Sequence, residues 1–400
     1  MPTTETTHFD YLIVGGGMVA NFAAEGIRER DQLGTIGILS EEVDSPYARP
    51  ALSKKLWTDP TFSLDDAWFD TAGTNHADLH LETRVTGIDR VAHLVTTAGG
   101  ERFAYGNLLL ATGGRPTHID LPDDDRVIWF RSMRDYTRLR ALSDRRLNIA
   151  VIGGGYIGTE LAAALIDNGC AVTLITPDDI LGGSMFPTDL ATAFDRRFVE
   201  HGVTVLRGIR VEKGEADAAG IHLALADGSR LSVDAVVSGL GITPNVELAQ
   251  AAGLETSDGV LVDENLVTSD PDIYAAGDVA EYPDVLLGRR RVEHVENATA
   301  MGHTAGHNMA GEPLPYDHTP YYYSVIFGTR YEAVGTLDGS FETVADWVEP
   351  LERGVVYYLT NGLVAGVLLW NIEGKLDEAR QAIAEAGALT RDDLIGLIRP

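Results

Sequence analysis

Gly15-Gly16-Gly17-Met18-Val19-Ala20 and Gly153-Gly154-Gly155-Tyr156-Ile157-Gly158 are two copies of one pattern, each after a short apolar run and before an alanine-rich stretch. The runs Phe9-Asp10-Tyr11-Leu12-Ile13-Val14 and Leu147-Asn148-Ile149-Ala150-Val151-Ile152 are nearly continuously apolar, which predicts buried parallel strands. A strand, a glycine turn and a helix in that order make a dinucleotide cradle. The first glycine permits the tight turn and the second lets a pyrophosphate approach the backbone. The third position, Ala20 or Gly158, must be small for close helix packing. Unpaired amides at the helix start then face the phosphates. Two such turns predict an α/β chain holding two dinucleotides.

The rest of the chain reads outward from these turns. Thr35-Ile36-Gly37-Ile38-Leu39-Ser40 is the second strand, and Glu41 follows it roughly 20 residues past the first glycine turn, where an acid meets the adenosine ribose. A Pro-rich loop from Ser45 to Trp57 brings cations to the expected pyrophosphate. Asn107 to Pro116 reads as a strand running into a glycine turn, and Ala235 to Pro244 as a matching run that closes an insert of roughly 117 to 244. The chain then returns to the first domain through Asp272-Ile273-Tyr274-Ala275-Ala276-Gly277-Asp278. From 319 onward, Val325 to Gly335, Phe341 to Val348, Val355 to Leu359 and Val364 to Trp370 read as antiparallel strands with Asp338-Gly339 and Asn361-Gly362 turns. Helices over Leu376 to Ala386 and Asp392 to Ile398 complete the reading.

Composition narrows the function. The 400 residues suffice for two or three domains, and the apolar and charged fractions are those of an ordinary soluble protein. The start, Met1 to His8, lacks the basic and apolar segments of a signal peptide, and no apolar run is long enough to span a bilayer, so a cytoplasmic location is expected. A net charge of −29 argues against nucleic acid as a partner, and leaves the arginines of 131 to 146 and of 289 to 291 as local docking candidates. Cys170, the single cysteine, is expected in a buried strand and excludes an intramolecular disulfide and a cysteine zinc site. His303 and His307 have helical i, i+4 spacing but no third ligand, so no metal is expected.

With both turns in place, Ala111-Thr112-Gly113-Gly114 and Ala275-Ala276-Gly277-Asp278 make the chain resemble the two-dinucleotide flavoproteins of the glutathione-reductase class. The loop Arg49-Pro50-Ala51-Leu52-Ser53-Lys54 narrows the resemblance. Leu287 to His294, with Pro244 to Ala249, is similar to apoptosis-inducing factor. Pro320-Tyr321-Tyr322-Tyr323-Ser324 is similar to monodehydroascorbate reductase, and both belong with the bacterial ferredoxin reductases of oxygenase systems.

The resemblance implies two Rossmann-like domains plus a C-terminal α+β domain with an antiparallel sheet. The FAD domain would take 1–116 and 245–318, the NADH domain 117–244, and an interface domain 319–400, which could cover the flavin or form a homodimer surface. FAD would lie on Gly15, Gly17, Ala20, Glu41, Arg49, Lys54, Ala111, Thr112, Gly113, Arg115, Gly277 and Asp278, and on Glu293, His294 and Val295, where a helix would begin under the flavin. NADH would lie on Gly153, Gly155, Tyr156, Ile157, Gly158, Glu160 and Gly241, with Asp178 on its ribose and Asp179 as the alternative. No arginine follows to take a 2′-phosphate, which favours NADH over NADPH. Lys54 paired with Glu160 would face the flavin. His294 either touches the nicotinamide side or packs, and Tyr323 either shields the flavin or is a plain core tyrosine.

The implied reaction is hydride transfer from NADH to flavin, with electrons passing on to an acceptor. Without a cysteine in the loop after Ser45, no protein disulfide relays them. The acidity of the chain ranks a small quinone-like acceptor first and a ferredoxin or rubredoxin second. A redox-sensing role, in which a persistent NADH–flavin complex controls dimerisation, is the alternative that the likeness to apoptosis-inducing factor raises.

Overall fold

A computed structural model describes residues 6–311, 313–385 and 387–399. Met1 to Glu5 of the polar start and Ala386 of the expected C-terminal helix lie outside the described residues. The chain folds into two compact units, Met1–Arg49 with Ser63–Arg115 and Thr243–Pro320, and Pro50–Phe62 with Pro116–Ile242 and Tyr321–Pro400.

The first unit is built on a parallel sheet in the spatial order Ala77–His80, Ile36–Leu39, Thr6–Val14 and Arg102–Leu110, with Ile273–Ala275 also paired to Arg102–Leu110. Leu12, Ile13, Leu108 and Leu109 are fully buried, as a strand covered on both faces requires. Register decides where the ligands would go. Val14 pairs with both Leu39 and Leu110, and Leu110 with Ala275. The residues that follow, Gly15, Ser40, Ala111 and Ala276, therefore share one carboxyl edge, the edge at which open α/β sheets take ligands. An antiparallel hairpin, Val85–Asp89 and Leu94–Thr97, extends this sheet.

The second unit repeats the scheme. Thr204–Leu206, Ala171–Ile175, Asn148–Ile152, Ala235–Ser238 and Val127–Trp129 form a parallel sheet in that order. Ile152 pairs with Ile175 and with Ser238, which aligns Gly153, Thr176 and Gly239. Cys170 is buried but sits one residue before the strand Ala171–Ile175, where its thiol meets the Ser143 hydroxyl at 3.4 Å. The same unit carries a three-stranded antiparallel sheet over Val211–Val233 and a five-stranded one.

The five-stranded sheet runs Tyr321–Ile326, Thr329–Gly335, Leu363–Trp370, Arg353–Thr360, Glu342–Glu349. The stretch expected as Val325 to Gly335 holds parts of two strands, because Phe327 and Gly328 both adopt the left-handed conformation and turn the chain back. Helix Leu376–Ala384 packs on this sheet, and the final helix is a single turn, Arg391–Leu394. Two parallel nucleotide-type sheets and an antiparallel C-terminal sheet make the fold α/β of the expected class. Among the described residues no helix is long and apolar enough to cross a membrane.

Candidate functional site

In the first unit, Gly15 has φ of +118°, and a Cβ there would overlap the Ala111 carbonyl oxygen. A Cβ on Gly16 would overlap the Ser40 hydroxyl. Helix Met18–Arg30 starts from Gly17 with no side-chain cap and no acid in its first turn, so its first amides remain available to an anion. Ala20 is fully buried against the turn. Facing this cradle is Arg49, whose guanidinium lies 3.9 Å from the point a Gly17 Cβ would occupy. Arg49 stacks 5.0 Å over the Tyr47 ring and donates to Glu42, which also accepts the Tyr47 hydroxyl at 2.9 Å. Glu41 is exposed and lies 3.8 Å from Arg84.

The remaining first-unit candidates line the same carboxyl edge or follow it. Gly277, at φ +77°, donates its amide to the Met301 sulfur at 3.1 Å, which holds the turn that presents Asp278. Asp278 and Arg49 attract each other electrostatically. Thr112 donates to the Asn245 carbonyl, while Arg115 is exposed and engages Asn245 and Glu247. Helix Val295–Met309 starts from His294 without a side-chain cap, and Glu293 accepts from Arg291 at 2.6 Å. This helix can lie against Met18–Arg30 because Gly302 and Gly306 leave no room for a Cβ against Val19 and Ala23.

The second cradle has the same build. Gly153, at φ +114°, would bring a Cβ to 2.5 Å from the Gly239 oxygen, and Gly154 to 2.5 Å from the Thr176 hydroxyl. Gly158 packs so tightly that a Cβ would overlap the Gly153 carbonyl. Helix Tyr156–Asp167 starts from Gly155, uncapped and acid-free in its first turn. Among the described residues, no atom beyond its own chain neighbours and helix backbone lies within 4 Å of where a Gly155 Cβ would be, and none beyond its chain neighbours at Gly241. Ile157 is 38% exposed at the helix start. Asp178 is half-buried and accepts the Ser184 hydroxyl at 3.0 Å, whereas Asp179 is exposed.

Lys54 and Glu160 meet in the second unit. Glu160 sits on the cradle helix with its side chain 2% exposed, and the Lys54 ammonium lies 2.8 Å from Oε1 and 2.9 Å from Oε2. Ser53 and Ser324 each donate a hydroxyl to this carboxylate at 2.6 Å. A buried carboxylate needs such donors, since an unpaired charge at this depth costs several kcal/mol or more. The Tyr323 ring is bracketed by cations, with Lys54 Nζ at 5.4 Å and Arg330 Cζ at 4.8 Å from its centroid. Tyr156 and Tyr322 pack edge-to-face at 4.7 Å, and burial pushes both phenols, and that of Tyr331, above the usual tyrosine range. These phenols stay neutral near pH 7, so Lys54 is the cation that balances Glu160.

Ser40, Thr176, Tyr47, Ser53, Ser324 and Met301 are additions to which the sequence reading gave no site role. Ser53 had a signal, since it precedes Lys54. Tyr47 acts on its near neighbours Glu42 and Arg49, and the remaining four act across gaps of more than 20 residues and carry none. His303 pairs with Glu29 at 3.0 Å and His307 accepts from Arg30, and no group suited to a metal ion occurs among the described residues.

Both cradles suit a dinucleotide: each offers uncapped amides beside glycines whose missing side chains leave backbone exposed, and neither puts an acid in the first helical turn. A family model described as pyridine nucleotide-disulphide oxidoreductase matches residues 9–302. The chain belongs to this family. It is an oxidoreductase that uses FAD and a pyridine nucleotide, although its one cysteine leaves it without the disulphide of the family's title. Over 97% of the chain it is 34% identical to the ferredoxin reductase subunit of the 5,5'-dehydrodivanillate O-demethylase of Sphingobium sp. (strain NBRC 103272 / SYK-6), covering 96% of that protein. The ferredoxin–NAD(+) reductase component of the anthranilate 1,2-dioxygenase system of Burkholderia cepacia is 36% identical, with 95% of each chain covered. The putidaredoxin reductase–putidaredoxin covalent complex contains a chain matching 97% of this one, with 95% of that chain covered, a TM-score of 0.88 and 26% identity.

Proposed function

We propose that this protein oxidises NADH and reduces a ferredoxin-type iron–sulfur protein, one NADH supplying two electrons to two carriers with release of NAD+ and a proton. The pair of acid-free, uncapped helix starts in one chain carries this reading. Relatives matched over 95% or more of both chains and titled ferredoxin reductases move the protein acceptor ahead of the small molecule that net charge alone ranked first. FAD, when bound, accepts a hydride and releases electrons one at a time.

The chain's own residues bind, orient and balance charge. In this reading the amides after Gly15 and Gly17 take the FAD pyrophosphate, with Arg49 as its cation, Glu41 on the adenosine ribose and Asp278 on the ribityl hydroxyls. Ala111, Thr112, Gly113, Arg115 and Gly277 complete that edge. Glu293, His294 and Val295 bring the start of helix Val295–Met309 toward the flavin, where free amides favour developing negative charge. The amides after Gly153 and Gly155 take NADH, with Tyr156, Ile157, Gly158 and Gly241 around it and Asp178 on its ribose. A carboxylate at 178 repels a 2′-phosphate and so selects NADH over NADPH. Glu160 pairs with Lys54 and orients it, in this reading toward the flavin, and Tyr323 shields that side.

Anaerobic mixing of the FAD-loaded protein with NADH or NADPH, and then with putidaredoxin, a quinone or ferricyanide, tests the reading. Faster turnover of putidaredoxin than quinone, with NADH the better donor, is expected. Reduction of the quinone alone overturns the acceptor, and equal use of NADPH overturns the role of Asp178.

A further inference from the structure

The two arginine runs look equivalent in sequence, and the structure separates them. Arg289 donates to the carbonyls of Val262 and Glu281, Arg290 to that of Leu287, and Arg291 pairs with Asp258 and Glu293. That run stitches its own unit together, mostly through backbone carbonyls; Arg289 stays exposed, and among the described residues only Arg291 has its charge paired.

Helix Met133–Ser143 is different. It buries Met133, Tyr136, Leu139 and Ser143, and six arginines against two aspartates fall between 131 and 146. Both acids are occupied: Asp135 closes the capping box with Ser132, and Asp144 faces Arg140 at 3.4 Å. Arg134, Arg145 and Arg146 are exposed, and their side chains make no ion pair among the described residues. The helix is pinned to the short segment after Lys54. The Trp57 ring meets Tyr136 edge-on at 5.5 Å and has Arg140 5.1 Å over its face, and the Tyr136 hydroxyl reaches the Leu56 carbonyl. That segment adds the exposed Lys55.

We propose that Arg134, Arg145, Arg146 and Lys55 form the docking surface for an acidic iron–sulfur carrier protein. This rests on the acceptor class argued above. The rest of the chain is strongly acidic, for −29 is the sum over a molecule that includes this positive island. At physiological salt the screening length is about 8 Å, so a carrier approaching the helix feels its arginines and Lys55, together with the nearby Asp125, Asp144 and Asp59, more than the distant acids. Such a patch speeds encounter and fixes orientation, and its effect fades with added salt. Because the helix is locked to Trp57, a carrier seated here lies along the segment that begins at Lys54, which gives the docking a reason to be at this place.

The test is the triple charge reversal R134E/R145E/R146E in the full-length FAD-loaded protein, with putidaredoxin as the probe carrier and ferricyanide as a small acceptor. At low salt the KM for putidaredoxin is expected to rise by about tenfold and its salt dependence to flatten. Ferricyanide reduction, flavin content and melting temperature should stay as in the parent, and the triple lysine variant should keep the low KM. An unchanged KM in the reversed protein, with a parent that reduces putidaredoxin well, overturns the docking surface alone. A parent that reduces ferricyanide and never putidaredoxin overturns the acceptor class, and the docking surface with it. A reversal that changes the mass by light scattering assigns the face to a second copy of this chain and also overturns it.

Discussion

The two cradles share a backbone and differ in what stands around it. In each, the first glycine faces a carbonyl and the second a hydroxyl, Ala111 and Ser40 in one, Gly239 and Thr176 in the other. The third glycine separates them: Arg49 stands 3.9 Å from the Cβ position at Gly17, and among the described residues no side chain comes within 4 Å at Gly155. The register separates them again. Leu39 and Ile175 occupy equivalent strand ends, so Glu41-Glu42 matches Pro177-Asp178. A cradle walled by a cation suits a cofactor that stays, and an open one suits a substrate that must leave. Under the proposed assignment, one motif would serve two residence times, set by the residues outside it.

The largest effect should come from Gly15→Ala. It forces a side chain into both a left-handed φ and the Ala111 carbonyl, and is expected to cost roughly 3 kcal/mol or more. A lowered melting temperature together with loss of bound flavin would show it, and a stable yellow variant would mean that the turn relaxes. Arg49→Gln removes the cation without adding bulk. FAD affinity should fall by roughly 30-fold, about 2 kcal/mol, measured by flavin fluorescence on titration of the apoprotein. If FAD binding were unchanged, the wall that distinguishes the first cradle would have no energetic meaning.

Gly155→Ala probes the other side of the comparison. Its methyl enters open space, so stability should move by less than about 0.5 kcal/mol while the KM for NADH rises by about tenfold. A fall in melting temperature would make Gly155 a structural glycine like Gly153. Flavin content should not respond, and a loss would show that the cradles are not independent.

Much of this was legible in sequence because it is local. A glycine turn, the strand before it and the helix after it lie within about 20 residues, and period and turn chemistry specify them together. The C-terminal strands were also readable, although the Phe327-Gly328 turn within Val325 to Gly335 was not. Ser324 could not be found by such reading, since its partner Glu160 lies 164 residues away. The hydroxyls of Ser40 and Thr176 fill the space beside glycines through strand register, which emerges only when the sheet forms. The arginine runs are the sharpest case. Charge counting ranks them alike, and only the fold reveals that Arg291 is paired with Asp258 and Glu293 and Arg140 with Asp144, while Arg134, Arg145 and Arg146 are exposed.

The smallest expected effect bears on the register argument. If the second cradle places its ribose acid at the position equivalent to Glu42, then Asp178→Asn should raise the KM for NADH by about fivefold, near 1 kcal/mol, and improve the use of NADPH. Asp179→Asn should do neither, because Asp179 lies one residue further on and is exposed. Ser184→Ala supplies the check that the carboxylate's orientation matters: it removes the hydroxyl that Asp178 accepts at 3.0 Å and should give a weaker version of the Asp178 phenotype. Steady-state kinetics with both nucleotides separates the three. An Asp179 variant with the larger loss would move the second cradle's acid one residue further from the position that matches Glu41 in the first.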